Sequence, residues 1–588
     1  MLNALRALMV QKGIDAYVVP PTDPHVSEYL PEHWRGMRQL SGFTGSAGMV
    51  VVTQDFAGLW TDSRYFVQAE RQLAGSGFEL MKLRVPHTPE YLEWLAEKLL
   101  PGSVVACDGK VFSLSAYRAL ERALKPKGFI IDPAADLLAE IWHNRPALPA
   151  GQVREHDPKF AGQTRKQKLQ QIRAALETHG ADYTVVATLD DIAWTFNLRG
   201  SDVPFNPLFV AYALIGKKEA HLFVAPEKIP AALADRLKKD GVQLQDYEAI
   251  TAFLNKIPKG KTVYFDPARV SQSLPGALGE GVKTIEGLNI STGLKACKTA
   301  AEAAHTRKTM ISDGVALTKF FYWLSQTVGK KTLTELDAAA KLHELRAAQP
   351  NCVGESFNTI SAYGENAALP HYAPTPEANA TIKPTGLYLL DSGGQYLGGT
   401  TDTTRVISLG NITEQEKRDY TLVLKGMLAV CSLQFPAGTK GRQIDALARE
   451  PLWRQGINFG HGTGHGVGYY LNVHEGPQSI STGVGNPDAA LQPGMITSVE
   501  PGIYRVGQYG IRLENLVLCV EKGHNDFGEW HGFEVLTLAP LFTNLVNKSL
   551  LSRYELSWLR QYNQLVIRKI GKFLEPEELA WVKAETRI

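Results

Sequence analysis

Five side chains of the 588-residue chain have the types and settings that cation chemistry needs: Asp391, Asp402, His465, Glu500 and Glu514. The first two sit eleven residues apart in GLYLLDSGGQYLGGTTDTTR, each within a run that otherwise favours β-strand. A tight turn near GGQYLGG would bring them together across a hairpin ladder. A turn centred between Tyr396 and Leu397 sets them directly opposite, and one centred on Gly398 offsets them slightly. Like charges facing each other in a ladder repel, and burying an unpaired carboxylate is costly. A divalent cation between them removes both objections. The alternative, an exposed acidic hairpin, fits less well with the apolar YLL and RVI that flank the pair.

Downstream, NFGHGTGHGVGYYLNVHEGP holds His461, His465 and His474, with five glycines from Gly460 to Gly468. The i,i+4 spacing of His461 and His465 matches a helical zinc pair, but that many glycines oppose a helix, and no HExxH occurs in the chain. Glycines at this density imply close backbone approach to something bound. Glu500, in QPGMITSVEPGIYR, is expected at a strand end before a Pro-Gly turn. Glu514, in YGIRLENLVLCV, is expected inside an apolar strand, with Arg512 on the same face and available as its partner. Four carboxylates and one imidazole suit Mn²⁺, Co²⁺, Fe²⁺ or Zn²⁺. They carry more charge than one divalent ion needs and suit two ions roughly 3.5–4 Å apart.

Three regions must position these groups. From residue 1 to 150, strand-like runs (DAYVVP, GMVVVT, AGLWT, SVVACD) alternate with helical ones, as in an α/β domain. After the Pro- and Gly-rich HNRPALPAGQVREHDPKFAG, residues 151–298 repeat that order of elements, DAYVVP corresponding to ADYTVVA and AGLWT to AHLFVAP. A duplicated domain is the expectation. From 299 to 588 the pattern changes to long amphipathic helices, AEAAHTRKTMISDGVALTKFFYWLSQ and TLTELDAAAKLHELRAAQ, followed by Gly-rich strands. Thr413 and Glu416 have capping-box spacing, which marks a helix start.

The bulk composition is that of an ordinary globular protein, 44% hydrophobic and 21% charged, with a formal charge of +2 and scattered basic residues. This argues against a nucleic-acid or membrane-surface footprint. Five dispersed cysteines without a CxxC indicate neither a disulfide framework nor a zinc ribbon. The N-terminus does not read as a signal peptide, so the cytoplasm is the expected compartment.

The order D…D…H…E…E, set in DSG, TTDTTR, GHGTGHGVG, VEPG and RLEN, resembles the pita-bread (creatinase/aminopeptidase P/prolidase) metallopeptidases. Within them it is similar to the Xaa-Pro aminopeptidases of the long, three-domain cytosolic form. SGFTGSAG and LWTDSRYFVQAE carry the likeness in the first domain, DDIAWTFNLRGSDVPFNP in the second, and WHGFEVLTLAPL in the tail. The resemblance implies two creatinase-like α/β domains followed by a pita-bread catalytic domain. It implies Asp402 and Glu514 as ligands bridging two ions, Asp391 as a ligand of one, and His465 and Glu500 as ligands of the other, with Mn²⁺ the expected metal. It further implies Glu500 as proton shuttle, His371 and His474 as carbonyl-binding and catalytic groups, His461 in a proline pocket, and Arg64 as a peptide-binding residue. His465, beside its ligand role, would border the substrate.

The implied reaction removes an N-terminal residue that precedes proline, using a water activated between the metals; the substrates are peptides with proline second, and the assembly a homodimer. Prolidase is the nearest alternative, since it shares the ligands but acts on dipeptides and is similar to a two-domain chain. A non-catalytic pita-bread binding module is the alternative of a different class, although such modules lose ligands that this chain keeps.

Overall fold

The computed structural model describes residues 1–86, 88–483 and 488–588. The chain forms two compact units, Met1–Leu294 and Lys295–Ile588.

In the first unit, one six-stranded sheet is built from β1 (Ala16–Val19), β2 (Met49–Val52), β3 (Ala57–Thr61), β4 (Glu79–Lys82), β5 (Val104–Cys107) and β6 (Ile130–Asp132). Its order is β4-β3-β2-β1-β5-β6, with β1–β2 and β2–β3 antiparallel and the other pairs parallel. The second sheet is built from β7 (Tyr183–Val186), β8 (Tyr212–Gly216), β9 (Ala220–Phe223), β10 (Val242–Gln245), β11 (Thr262–Phe265) and β12 (Lys283–Glu286). Its order, β10-β9-β8-β7-β11-β12, and its strand directions repeat those of the first. The central strands β1 and β7 carry DAYVVP and ADYTVVA, the pair that the repeat in the sequence aligns. Both are near-continuous apolar runs because helices cover the faces of such sheets. Trp34 and Leu114 of the first half pack into the core of the second.

The second unit opens with the helix Ala300–Thr327, started by a Thr299–Glu302 capping box, and the helix Glu335–Ala347, started by Thr334–Asp337. The Thr413–Glu416 box is also formed, at the start of Glu414–Cys431. That helix ends before LQF, because Gln434–Pro436 leaves it to pair as a strand with Gly528–Val535. It crosses Gly441–Trp453 at Gly426, where a Cβ would stand 2.2 Å from the Ala448 carbonyl oxygen, so only glycine allows the approach.

Three antiparallel strands, β13 (Ile360–Tyr363), β14 (Leu387–Ser392) and β15 (Thr403–Ser408), form one sheet of this unit. A larger sheet contains β16 (Gly464–Gly466), β17 (Glu475–Ile480), β18 (Ile496–Val499), β19 (Asn515–Asn525) and Gly528–Val535.

Arg405, on β15 and 1% exposed, ties these pieces together. Its guanidinium donates to the carbonyls of Pro540, Thr404, Glu514 and Ala539, to Asn515 Oδ1 and to Tyr562 Oη, at 2.6–3.0 Å. One side chain thus fixes the strand after Asp402, the backbone at Glu514 and the helix Arg553–Ile570. Arg405→Leu leaves several buried acceptors unmade at about 1–3 kcal/mol each. It should lower the stability of the second unit by more than about 3 kcal/mol, read as the shift of its transition in urea.

Candidate metal centre

The hairpin strands β14 and β15 pair in one register, Leu387 with Ser408 through Ser392 with Thr403. The same register continues through Gln395–Thr400 and Tyr396–Gly399, so the turn is centred between Leu397 and Gly398. Asp391 therefore faces Thr404, and Asp402 lies one step diagonal to it on the same face. Diagonal placement brings the two carboxyls together without stacking them head-on.

Glu514 joins them from a different element. It lies not inside a strand, as the apolar run suggests, but in the two-residue junction between Tyr509–Arg512 and β19. Its N–H donates to the Thr404 carbonyl, and Thr404 Oγ1 donates to Glu514 Oε2 at 2.7 Å. One carboxylate oxygen from each of Asp391, Asp402 and Glu514 lies within 4.8 Å of the other two.

The glycine-rich stretch forms β16, not a helix. A Cβ at Gly464 would stand 1.8 Å from the Ser498 carbonyl oxygen, and one at Gly466 2.0 Å from that of Glu475. The glycines let a strand slide between neighbours and carry His465 into the cluster. His465 Nδ1 lies 2.9 Å from the Gly466 carbonyl, which selects the Nδ1–H tautomer and leaves the Nε2 lone pair facing Asp402 and Glu500, at 3.4 and 3.5 Å. This is the arrangement of a ligating imidazole oriented by a backbone acceptor. Glu500, just past β18, is fixed by its N–H to the Thr463 carbonyl and accepts from Ser498 Oγ. The His474 ring stands edge-on to that of His465 at 4.3 Å, with a nitrogen in the same 4.8 Å group as donors of Asp402 and His465.

His461 is set apart from these donors: its Nε2 pairs with Tyr504 Oη at 2.7 Å and its ring lies against Phe459. Tyr504 Oη also accepts from Arg512 Nη1 at 2.7 Å. Arg512 turns to Asp391, at 2.6 Å from Oδ2, and not to Glu514 as its position two residues away suggests. The same guanidinium reaches the carbonyl of Pro370, the residue before His371. The loop around His371 is further held by buried Glu335, which accepts from Tyr372 Oη and from the N–H groups of Tyr363 and Ala380.

Tyr504, Glu335 and Thr404 are missed by reading the chain in order. Only a hairpin reading of EPGIYRVGQYGIR, which pairs Tyr504 with Gly510 beside Arg512, offers a signal for the first. Arg64 belongs to the first unit, where it makes a bidentate pair with Asp62.

The donor set fits divalent cations. Asp391 Oδ1 and Glu514 Oε1 are buried without a hydrogen-bond partner, a costly state for carboxylate oxygens unless a cation takes their lone pairs. Burial, and then the charges of Asp391 and Glu500, push the Asp402 carboxyl well above its ordinary range. Burial and the neighbouring Asp402 and Asp391 do the same to Glu514. Burial also raises Glu500, against the charges of His465 and Arg512. Arg512→Met removes the one cationic side chain hydrogen-bonded to Asp391 among the described residues and should destabilise the second unit by about 3–5 kcal/mol. Arg512→Met with Asp391→Asn should be less destabilised than Arg512→Met alone, in chemical unfolding of the four proteins of the cycle.

Known proteins share this whole architecture. Residues 1–140 and 144–302 each match the creatinase/prolidase N-terminal domain, 304–521 match metallopeptidase family M24, and 529–588 match the C-terminal region of that peptidase. A probable Xaa-Pro aminopeptidase P of Ajellomyces capsulatus is 42% identical over 100% of this chain and 98% of its own. One of Aspergillus fumigatus is 41% identical over 100% and 92%. Among solved structures, an X-prolyl aminopeptidase of Caenorhabditis elegans, described as a cytosolic enzyme with a di-nuclear active site, superposes with a TM-score of 0.94 at 35% identity. It covers 100% of this chain and 98% of its own. An Xaa-Pro dipeptidase of Bacillus anthracis, 26% identical, superposes with a TM-score of 0.50 over 64% of this chain and 99% of its own. Relatedness of this order along its full length places the chain in metallopeptidase family M24, among the Xaa-Pro aminopeptidases P with two creatinase/prolidase-type domains ahead of the pita-bread domain.

Proposed function

We propose that this protein is a metallo-aminopeptidase that removes an N-terminal residue from peptides with proline in second position. Asp391, Asp402, His465, Glu500 and Glu514 are the residues we assign to two divalent cations, with Mn²⁺ the expected metal. The observation that carries this reading is the convergence of these side chains, with two buried carboxylate oxygens left without hydrogen-bond partners, in a chain related over its full length to Xaa-Pro aminopeptidases P. When bound, such cations supply Lewis acidity and lower the pKa of a water molecule.

The chain's own groups supply the rest. Proline's amide nitrogen has no hydrogen and its ring fixes φ, so a site that grips a peptide N–H cannot use this bond. The leaving prolyl nitrogen needs a proton, and Glu500, whose carboxyl burial raises above its ordinary range, is the group we assign to deliver it. His371 and His474 are assigned to the scissile carbonyl, donating to its oxygen as negative charge develops. His461, against Phe459 and hydrogen-bonded to Tyr504, gives the pyrrolidine ring an apolar aromatic wall. Arg64, from the first unit, is assigned to peptide recognition.

The division into domains 1–150, 151–298 and 299–588 is part of this reading, supported by the repeated sheets and by the unit boundary at Leu294. A homodimer is expected. A cytoplasmic location is proposed from the Caenorhabditis elegans relative, and no helix among the described residues is long and apolar enough to cross a membrane. Prolidase activity is the less favoured reading, because the dipeptidase superposes on only 64% of the chain.

Purified protein given Arg-Pro-Pro and Gly-Pro side by side should cleave the tripeptide; cleavage of the dipeptide alone would make it a prolidase. Asp402→Ala should lose metal and about a thousandfold in kcat/KM, equivalent to about 4 kcal/mol; full metal and activity in that variant would remove the site assignment.

Metal removal should also have a pH signature. Asp402, Glu500 and Glu514 have raised folded-state pKa values, so in metal-free protein their contribution is fully present below about pH 4 and is lost as pH rises through the raised values. A cation binds the ionised forms and opposes that loss. Melting temperatures with and without EDTA should therefore converge near about pH 4 and separate progressively toward about pH 8.

A further inference from the structure

His474 reaches the cluster, beside the ring of His465, from a loop that is pinned on both sides. Three residues before it, the Leu471 carbonyl accepts from Gln395 Nε2 at 2.7 Å, and Gln395 is itself bonded by Thr400 Oγ1 at 2.8 Å. Both belong to the hairpin between Asp391 and Asp402. One residue after it, Glu475 is 4% exposed, and two equally buried lysines converge on it. Lys298 Nζ donates to Oε1 at 2.6 Å, and Lys295 Nζ lies 3.3 Å from Oε2 as an ion pair.

Taking three charged side chains out of water is expensive, and an apolar core of similar volume would do as well for stability alone. What the cluster does is fix one point of the backbone. Glu475 pairs with Gly466, next to His465, and its carboxylate fills the space that a Cβ on Gly468 would need, 3.0 Å away. The carboxylate is therefore locked among the glycines of the stretch that carries His465, while its backbone leads directly to His474. The two lysines come from the first four residues of the second unit, where the chain enters it.

We propose that Lys298 and Lys295, acting through Glu475, are positioning residues that hold the His474 ring at the scissile carbonyl. This rests on the assignment of His474 given above. Lys298 is the residue to test, because Lys298→Met preserves side-chain length and leaves Glu475 with Lys295 as counter-ion, so the unit remains able to fold.

In Lys298→Met, kcat for Arg-Pro-Pro should fall about 10–100-fold, the usual effect of removing a group that orients a site residue. KM should change by less than about threefold, because His474 acts on charge that develops in the transition state. Metal content should equal that of the wild type, and Lys298→Arg should recover most of the loss. A second readout needs no turnover: carbethoxylation of histidines by diethyl pyrocarbonate, followed by peptide mass spectrometry. His474 should react several-fold faster in Lys298→Met than in wild type, with His461 unchanged. Wild-type kcat together with a wild-type His474 rate in Lys298→Met would overturn the proposal. So would an activity loss that runs parallel to loss of metal and of melting temperature, which would mark Lys298 as structural only. If wild-type protein itself fails to cleave Arg-Pro-Pro, the aminopeptidase reading is at fault, and the His474 modification rate still decides whether Lys298 positions that ring.

Discussion

The mutual repulsion of three buried carboxylates is the constraint on which the second unit depends. Oxygens of Asp391, Asp402 and Glu514 lie within 4.8 Å of one another, away from water. At about 4 Å, two unit charges repel by about 4 kcal/mol even at an effective dielectric constant of about 20. No packing of apolar side chains offsets that. The surroundings are accordingly built of fixed donors. Arg512 takes one oxygen of Asp391, Thr404 takes one of Glu514, and Arg405 fixes the backbone of both Thr404 and Glu514 through their carbonyls. What those donors leave over, at Asp391 Oδ1 and Glu514 Oε1, are the lone pairs that a bound cation would take.

The histidine loop meets the same constraint from the other side. An imidazole can share a cation with clustered carboxylates only if its unprotonated nitrogen faces them, and the Gly466 carbonyl favours that by accepting from the opposite N–H. To bring that carbonyl and that ring to one place, the backbone must pass between Ser498 and Glu475 at distances no side chain tolerates. The glycine pattern is thus a packing requirement set by the electrostatic one. The same holds farther out, where Tyr504 joins His461 to Arg512 and so couples the apolar wall to the acid cluster.

These relations were legible in the sequence to different degrees. Two-residue periodicity puts Asp391 and Asp402 on one face of a hairpin whose turn is centred between two residues, because their odd offset then fixes side-chain parity. It does not fix the register, and the turn at Leu397–Gly398 shifted the pair from opposite to diagonal. The capping box at Thr413 is readable because both partners lie within four residues. Arg512 was misread for the converse reason. Its nearest carboxylate along the chain is Glu514, but the strand ends at Arg512, and the junction turns Glu514 away while Arg512 reaches back to a residue more than a hundred positions upstream. Glu335, Lys295 and Lys298 left no local trace at all, since each acts on a loop brought to it by tertiary folding.

Duplication and chemistry divide along the chain in a physically intelligible way. The repeated sheets of the first unit share strand order and directions, and their buried central strands, AYVV and YTVV, carry no carboxylate and no histidine. Among the described residues, every group of three side chains able to hold a metal ion lies in the second unit. There the strands are antiparallel, and three of the four acids sit where strands begin, end or change partners: Asp402 just before β15, Glu500 just after β18, Glu514 between two strands. At such junctions the ladder no longer claims every backbone group. The N–H of Glu500 can therefore bond the Thr463 carbonyl outside the regular ladder, and that of Glu514 the Thr404 carbonyl. A buried carboxylate held by its own backbone keeps its direction when its charge changes, which is the property a proton-transferring or cation-holding site requires.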